Sequence, residues 1–265
     1  MPGVVSHSHA ILLRLSYDGA SFSGCALQSN APTIAGVLHH ALCQMDPTCG
    51  RLRVASRTDA GVHALEQYVA CDTSARISSR GWLLGLTGLL LPQIAVTRVS
   101  RVERGFNPSR EAVLKVYRYV IVQGTIRDPF LEGRSWRVFQ SLDLELMREQ
   151  AETLIGTHDF RAFRSSNDRR QDTRRRIRRI QLEPSEGVSP LLTIEVEGDR
   201  FLHNMVRIIV GTLVDIGRGQ RVPGAFSRAL SSGLRTDLGM TAPASGLYLA
   251  RLFLRTDGEE HWPYQ

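Results

Sequence analysis

Residues 54–69 read VASRTDAGVHALEQYV. Two β-rich runs flank a tight polar corner, where Asp59 stands two residues after Arg57 and two before Gly61. Strands joined by so short a corner pair antiparallel, so RLRVASR (51–57) and VHALEQYVACD (62–72) are expected side by side in one sheet. Upstream, AILLRLSYDG (10–19) alternates with period two and ends on the turn pair Asp18-Gly19. PTIAGVLHHALCQM (32–45) follows, with Ile34, Val37, Leu38, Leu42 and Met45 on one helical face behind Pro32. Downstream, SRGWLLGLTGLL (79–90) reads as a helix that ends before Pro92, and IAVTRVSRVE (94–103) alternates as a strand. The first hundred residues therefore spell β-α-β-β-α-β, the order of a ferredoxin-like unit.

The order returns loosely in the rest of the chain. AVLKVYRYVIVQ (112–123) is a strand and DLELMREQAETLIG (143–156) a helix; RRIRRIQLEP (175–184) and LLTIEVEGD (191–199) form a hairpin. FLHNMVRIIVGTLVDIG (201–217) is a strongly apolar helix and GLYLARLFL (246–254) a late strand. Because the strands come in adjacent pairs, the expected fold class is α+β with two ferredoxin-like, RRM-like halves built on antiparallel sheets, not one doubly wound sheet. The boundary is expected near residues 104–110, separating an N-terminal domain of 1–105, which carries the Asp59 corner, from a C-terminal domain of 106–265. The polar tail RTDGEEHWPYQ (255–265) is expected to be peripheral.

With 265 residues and 42% hydrophobic content, the chain can bury a sizeable core. No apolar run approaches the roughly 20 residues of a spanning helix. MPGVVSHSHA at the start lacks a charged segment followed by an apolar one, so no signal peptide is expected and the compartment is expected to be the cytoplasm. Cys25, Cys43, Cys49 and Cys71 fall at no metal-ligand spacing and form no C-x-x-C pair; reduced thiols and no metal are the expectation. A net charge of +7 and an isoelectric point near 9.7 point to a polyanionic partner, most simply nucleic acid. Lys115 is the sole lysine, so the positive charge is nearly all arginine.

Four features could carry chemistry. In TDAG an aspartate and a glycine can simply make a turn; but Arg57 beside Asp59 favours the ionised acid, and Gly61 allows close backbone approach, which together make a usable nucleophile. In FLHNMVRIIVG (201–211), His203, Asn204 and Arg207 share a polar stripe on an otherwise apolar helix. A guanidinium there either snorkels to an edge or pairs with a carboxylate. In KVYRYVI (115–121), Tyr117 and Tyr119 share one strand face and Arg118 the other; they are either half-buried packing or a base-stacking surface with charge beside it. RSSNDRRQDTRRRIRR (164–179) is either a solvated arginine run or a phosphate-contacting loop.

These motifs occur together in one known family. SRTDAGVHA (56–64), FNPSREAVLKVYRY (106–119), FLHNMVRIIVG (201–211) and APASGLYL (242–249), in this order over about residues 10–255, make the chain resemble the bacterial TruA-type tRNA pseudouridine synthases. It departs from the family in GCALQ (24–28), where Cys25 replaces a tryptophan, at Asn107, where histidine or aspartate is common, and at His203, where arginine or tyrosine often sits. The resemblance implies an isomerase that converts uridine to pseudouridine in the anticodon arm of tRNA, at positions 38, 39 and 40. It implies Asp59 as catalytic carboxylate, attacking either the sugar C1′ or the uracil ring. Arg57 would fill the space left by the flipped nucleotide, Tyr117 would stack on the uracil, Arg207 would bridge to Asp59 and Leu247 would wall the pocket. Phe106, Asn107, Arg110, Arg169, Arg170 and Arg76 would contact tRNA. The resemblance also implies a homodimer and a cleft between the two halves.

Pseudouridine formation breaks the N1–C1′ bond, turns the base and joins C5 to C1′, with neither redox change nor hydrolysis. No cofactor or metal is therefore expected, in keeping with a sequence that has no P-loop and no G-x-G-x-x-G turn. A stacked target must be extruded, which calls for a wedge and a stacking surface. The alternative is a non-catalytic RNA-binding protein or RNA chaperone using the same basic surface. A carboxylate facing an anionic ligand argues against it.

Overall fold

The computed structural model describes residues 7–165, 168–187 and 190–255. The fold is mixed α+β with mostly antiparallel strands, and its chain contacts divide it into two units. One holds the chain up to Val113 together with the segment from Leu249 on; the other is Leu114–Tyr248.

In the first unit the order is β1 (His9–Tyr17), α1 (Ile34–Met45), β2 (Arg53–Val54), β3 (His63–Thr73), α2 (Ser79–Leu89) and β4 (Ile94–Val102). Strand β1 lies between β4 and β3, β2 pairs with the far side of β3, and every pairing is antiparallel. The helices start where the sequence places caps: Thr33 Oγ1 accepts from Gly36 N and Ser78 Oγ from Gly81 N, each at 3.1 Å. Ile11, Leu13 and Leu15 of β1 meet Leu38, Ala41 and Leu42 of α1, Trp82 and Leu86 of α2, and Val69 of β3 in one core. Val96 and Val99 both join it although they are three residues apart. The register shifts by one residue between Arg14 and Leu15, and that extra residue on β4 restores the facing of Val99. A second shift, between Leu15 and Tyr17, puts an extra residue into β3 next to the Asp59 corner.

Only Arg53 and Val54 of the expected 51–57 strand pair with β3. Ala55 N still donates to Tyr68 O of β3 at 2.9 Å; beyond it the backbone leaves the sheet, with Ser56 met by the Gln67 side chain and Thr58 O by Cys25 N, as described below. The last strand of the chain, β10 (Leu247–Leu254), lies from Leu249 on beside β3, where Leu252 N donates to Glu66 Oε1 at 3.1 Å.

The second unit contains β5 (Ala112–Gln123, which begins just before the division), β6 (Trp136–Val138), β7 (Gly156–Asp159), β8 (Arg174–Ser185) and β9 (Leu191–Gly198). The strand order is β5-β9-β8-β7, antiparallel throughout, with β6 running parallel to β5. A four-residue helix, α3 (Pro108–Glu111), precedes β5 in the first unit; α4 (Leu144–Glu152), α5 (Met205–Gly217) and α6 (Ala225–Ser232) belong to the second. Alternate burial of Leu192, Ile194 and Val196 gives β9 one core face, and Phe160, Phe163 and Phe226 stack into the helical side. The helix expected over 201–217 begins only at Met205, because Asn204 takes a left-handed conformation (φ 64°) that turns the chain into it. The sequence also gives no notice of α6, β6 and β7, whose apolar patterns are too short to show a period. Most of the tail 255–265 lies outside the described residues.

Candidate active site

Asp59 sits on a loop held at several points. Val62 N donates to Asp59 O at 3.2 Å to close the corner, and Gly61, at φ 76°, supplies the left-handed residue it needs. Cys25 N donates to Thr58 O at 3.0 Å. Gly24 makes that approach possible: it has φ 93°, and a Cβ there would lie 2.9 Å from Thr58 O. On the other side of Thr58, its Oγ1 lies 2.8 Å from the buried Tyr17 hydroxyl.

Below the loop, Gln67 is fully buried and acts as a surrogate strand for Ser56. Its Oε1 accepts from Ser56 N at 3.2 Å and Tyr68 N at 3.1 Å; its Nε2 donates to Ser56 O at 2.6 Å and reaches the Tyr17 hydroxyl at 3.4 Å. His63 is also buried, its Nδ1 3.1 Å from both Gly19 N and Asp18 Oδ1. Asp59 itself is half-buried and Arg57 exposed. Burial pushes the Cys25 thiol up to about 11, against the Tyr17 hydrogen bond and the Arg57 charge, so it stays protonated at neutral pH and fills space.

In the second unit, Tyr117 and Tyr119 do share a face of β5, opposite Val196 and Ile194 of β9. Tyr117 is buried edge-on against Phe201, with ring centroids 5.2 Å apart. Tyr119 donates its hydroxyl to Pro243 O at 2.7 Å, and Gly246 leaves room for its ring, since a Cβ there would be 2.5 Å away. Burial pushes the Tyr119 hydroxyl up in spite of the Arg207 charge. Arg118, on the opposite face, pairs with Glu195 through Nε at 2.9 Å.

Arg207 lies in the first turns of α5 and is held from two directions. Its NH1 donates to Asn204 Oδ1 at 2.9 Å and its Nε to Ala242 O at 2.8 Å, while Ala242 N returns a bond to Arg207 O at 3.0 Å. Asn204 thus gives its side chain to the guanidinium instead of capping the helix. Gly211 lets the 240–242 segment cross the helix: a Cβ there would be 2.0 Å from Met240 O. His203 lies before the helix, so the polar stripe read from the sequence is a corner and a first turn. Leu247 is buried at the start of β10.

The expected RNA contacts fall into two built loops and one exposed residue. Arg53 binds Asp72 with both terminal nitrogens, at 2.8 and 2.6 Å, and donates from Nε to Phe106 O at 2.7 Å. Gly105 N adds a bond to Asp72 at 2.9 Å. Burial alone would raise the Asp72 carboxyl, but these bonds and the Arg53 charge hold it below its ordinary value. Phe106 is therefore buried, Asn107 caps α3 by accepting from Ser109 N, and Arg110 is exposed beside them. Arg76 is exposed on the connection from β3 to α2.

In the second loop, Asp168 accepts from Arg170 N and His203 N at 3.1 Å each, tying the arginine run to the corner before α5. Those bonds, together with the Arg170 and Arg164 charges, outweigh its burial and hold its carboxyl down. Arg169 is exposed, and Arg170 reaches Phe201 O at 3.3 Å. Lys115, two residues before Tyr117, is pushed down to about 8 by burial first and then by the Arg200 and Arg170 charges. Sequence reasoning passed over Lys115, Tyr17 and Gln67. The available signals were a lone lysine and a glutamine in the middle of an apolar strand.

A family model described as tRNA pseudouridine synthase matches residues 150–253. The chain is 40% identical to tRNA pseudouridine synthase A of Geotalea daltonii over 243 residues, 92% of this chain and 98% of that one. It is 40% identical to the protein of the same name from Geobacter sulfurreducens, covering 91% and 98% of the two chains, and 37% identical to that of Myxococcus xanthus, covering 92% and 91%. Related at this level along about nine-tenths of its length, the chain belongs to the tRNA pseudouridine synthase family of isomerases.

Proposed function

We propose that the protein isomerises uridine to pseudouridine in the anticodon arm of tRNA, at positions 38, 39 and 40, with Asp59 as the catalytic nucleophile. The observation that supports this most is the loop around Asp59. Thr58 is gripped through its carbonyl and its hydroxyl, and Ser56 through both backbone groups, so the half-buried carboxylate is presented from a rigid support. A turn that merely reversed the chain would not need two glycines with positive φ and a buried carboxamide beneath it.

Within this reading Asp59 attacks C1′ or the uracil ring, the N1–C1′ bond breaks and the base turns; C5 then joins C1′, the bond to Asp59 breaks, C5 loses its proton and N1 gains one. Tyr117 stacks on the uracil, Arg207 offsets the charge of the carboxylate, and Leu247 keeps water from the intermediate. Arg57, exposed next to the acid, fills the gap left by the extruded nucleotide. Arg76, Asn107, Arg110, Arg169 and Arg170 meet phosphates and sugars, and Phe106 shapes its loop from below. The protein works in the cytoplasm as a homodimer; no helix among the described residues is long and apolar enough to cross a membrane. Each unit is a ferredoxin-like element, a reading supported in the first by the antiparallel order β4-β1-β3-β2.

Tritium release from tRNA labelled at uracil C5 tests the assignment. Asp59→Ala and Asp59→Asn are expected to reduce release to background while leaving tRNA affinity within a few-fold. Release at the wild-type rate by Asp59→Ala would sink the nucleophile assignment.

A further inference from the structure

On the first unit, α1 and the turn after it collect soft donors that lie outside the catalytic residues proposed above. His39 and Cys43 are four residues apart on α1 and face the same way, with Cys43 Sγ 3.7 Å from His39 Nε2. Cys49, beyond the end of the helix, brings its thiol within 4.8 Å of both, and all three residues are half-buried and reachable from solvent. Donors around a tetrahedral zinc ion, at about 2.3 Å for sulfur and 2.0–2.1 Å for nitrogen, stand about 3.5–3.8 Å from one another. The His39–Cys43 pair already has that spacing.

The support for Cys49 is built without any ion. Cys49 N donates to Asp46 O at 3.0 Å, and Gly50 N to Asp72 O at 2.9 Å. The Asp46 carboxylate is occupied by Thr48 N at 2.9 Å and Thr73 Oγ1 at 2.5 Å, so it anchors the turn and is not a donor to the cluster. Beneath lies Cys71 of β3, buried, its Sγ 2.7 Å from Cys49 Sγ. The spacing H-x3-C-x5-C has no recognisable motif in sequence. Only the turn after α1, held to β3 through Gly50 N, brings Cys49 to the other two.

We propose that His39, Cys43 and Cys49 form a zinc site that ties α1 to the turn after it. Thiolates and an imidazole select zinc over magnesium or calcium, and water completes the four-coordinate ion. On binding, the two thiols lose their protons to solvent, and Cys49 Sγ exchanges its contact with Cys71 Sγ for the ion. The site is independent of the isomerase reading.

The test is cobalt(II) titration of the full chain, reduced and anaerobic, with four free thiols counted beforehand. One equivalent should give a thiolate-to-cobalt band in the near ultraviolet and the intense visible bands of a tetrahedral ion, both lost on adding zinc. His39→Ala and Cys43→Ser should abolish the bands at one equivalent while circular dichroism and tritium release stay at wild-type levels. Cys71→Ser, outside the three donors, should leave the bands in place. Absence of the near-ultraviolet band in the wild type, or its persistence in Cys43→Ser, overturns the site. Loss of the band in Cys71→Ser overturns the three-donor form.

Discussion

Replacing Gln67 by leucine removes the polar support under the Asp59 loop while keeping most of the volume. The carboxamide makes hydrogen bonds to Ser56 N, Ser56 O, Tyr68 N and the Tyr17 hydroxyl, and it is fully buried. Tyr68 and Tyr17 retain other partners in strand pairing and in Thr58. Ser56 bears the loss, because both its backbone groups are met by this one side chain and the residue is 6% exposed. Stranding a buried donor or acceptor costs about 1–3 kcal/mol, so two cost roughly 2–6, of which the added apolar burial of leucine recovers about 1. A loss near 3 kcal/mol is expected, about 6–12 °C in melting temperature for a chain of this size. The catalytic effect should be separate in kind. With Ser56 released, Thr58 and Asp59 lose their lower support, and a displacement of about 1 Å costs on the order of 100-fold in rate. The assay pairs urea unfolding with single-turnover tritium release at saturating tRNA. The rate should fall and tRNA affinity hold, because none of the arginines proposed to contact RNA is touched. Stability within about 0.5 kcal/mol of wild type, together with an unchanged rate, would refute the idea that Gln67 positions the acid.

Gly24→Ala introduces a Cβ 2.9 Å from Thr58 O at a residue with φ 93°; the left-handed strain alone costs about 1–2 kcal/mol, and single-turnover release should slow with no change in tRNA affinity. Asp72→Asn tests pH linkage. The folded carboxyl lies below its unfolded value, so its contribution is present above about pH 4 and disappears as pH falls through the folded value. The mutant should therefore be less stable than wild type by urea unfolding at pH 7, and the gap should shrink toward pH 3; a gap of equal size at both would show that the pair with Arg53 contributes no charge-dependent stability.

Much of the fold was legible because its elements carry their own periods and stops. Strand β5 spans the twelve residues AVLKVYRYVIVQ, and α1 and α2 begin behind Thr33 and Ser78 and stop near the expected residues, since capping and amphipathic burial are local causes. The shortening of β2 to two residues was not legible. Whether Ser56–Asp59 pairs in the sheet depends on the Gln67 side chain, which takes both backbone groups of Ser56, and on Cys25 N, which takes Thr58 O. The late start of α5 has the same origin: Asn204 turns left-handed because Arg207 takes up its side chain and Asp168 holds His203 N.

By itself the sequence determined which residues are chemically able: an acid between Arg57 and Gly61, tyrosines alternating on β5, a guanidinium on an apolar helix, and an arginine excess for a polyanion. Tertiary structure alone decided how each is held. Asp59 is half-buried on a gripped loop, Tyr117 is packed edge-on against Phe201, Phe106 is turned inward by the Arg53–Asp72 clamp, and three soft donors that share no motif lie in one cluster on α1 and the turn after it. The reason is range. Period and capping act over three or four residues, whereas burial and hydrogen-bond satisfaction are settled between segments tens of residues apart that meet only in the folded chain.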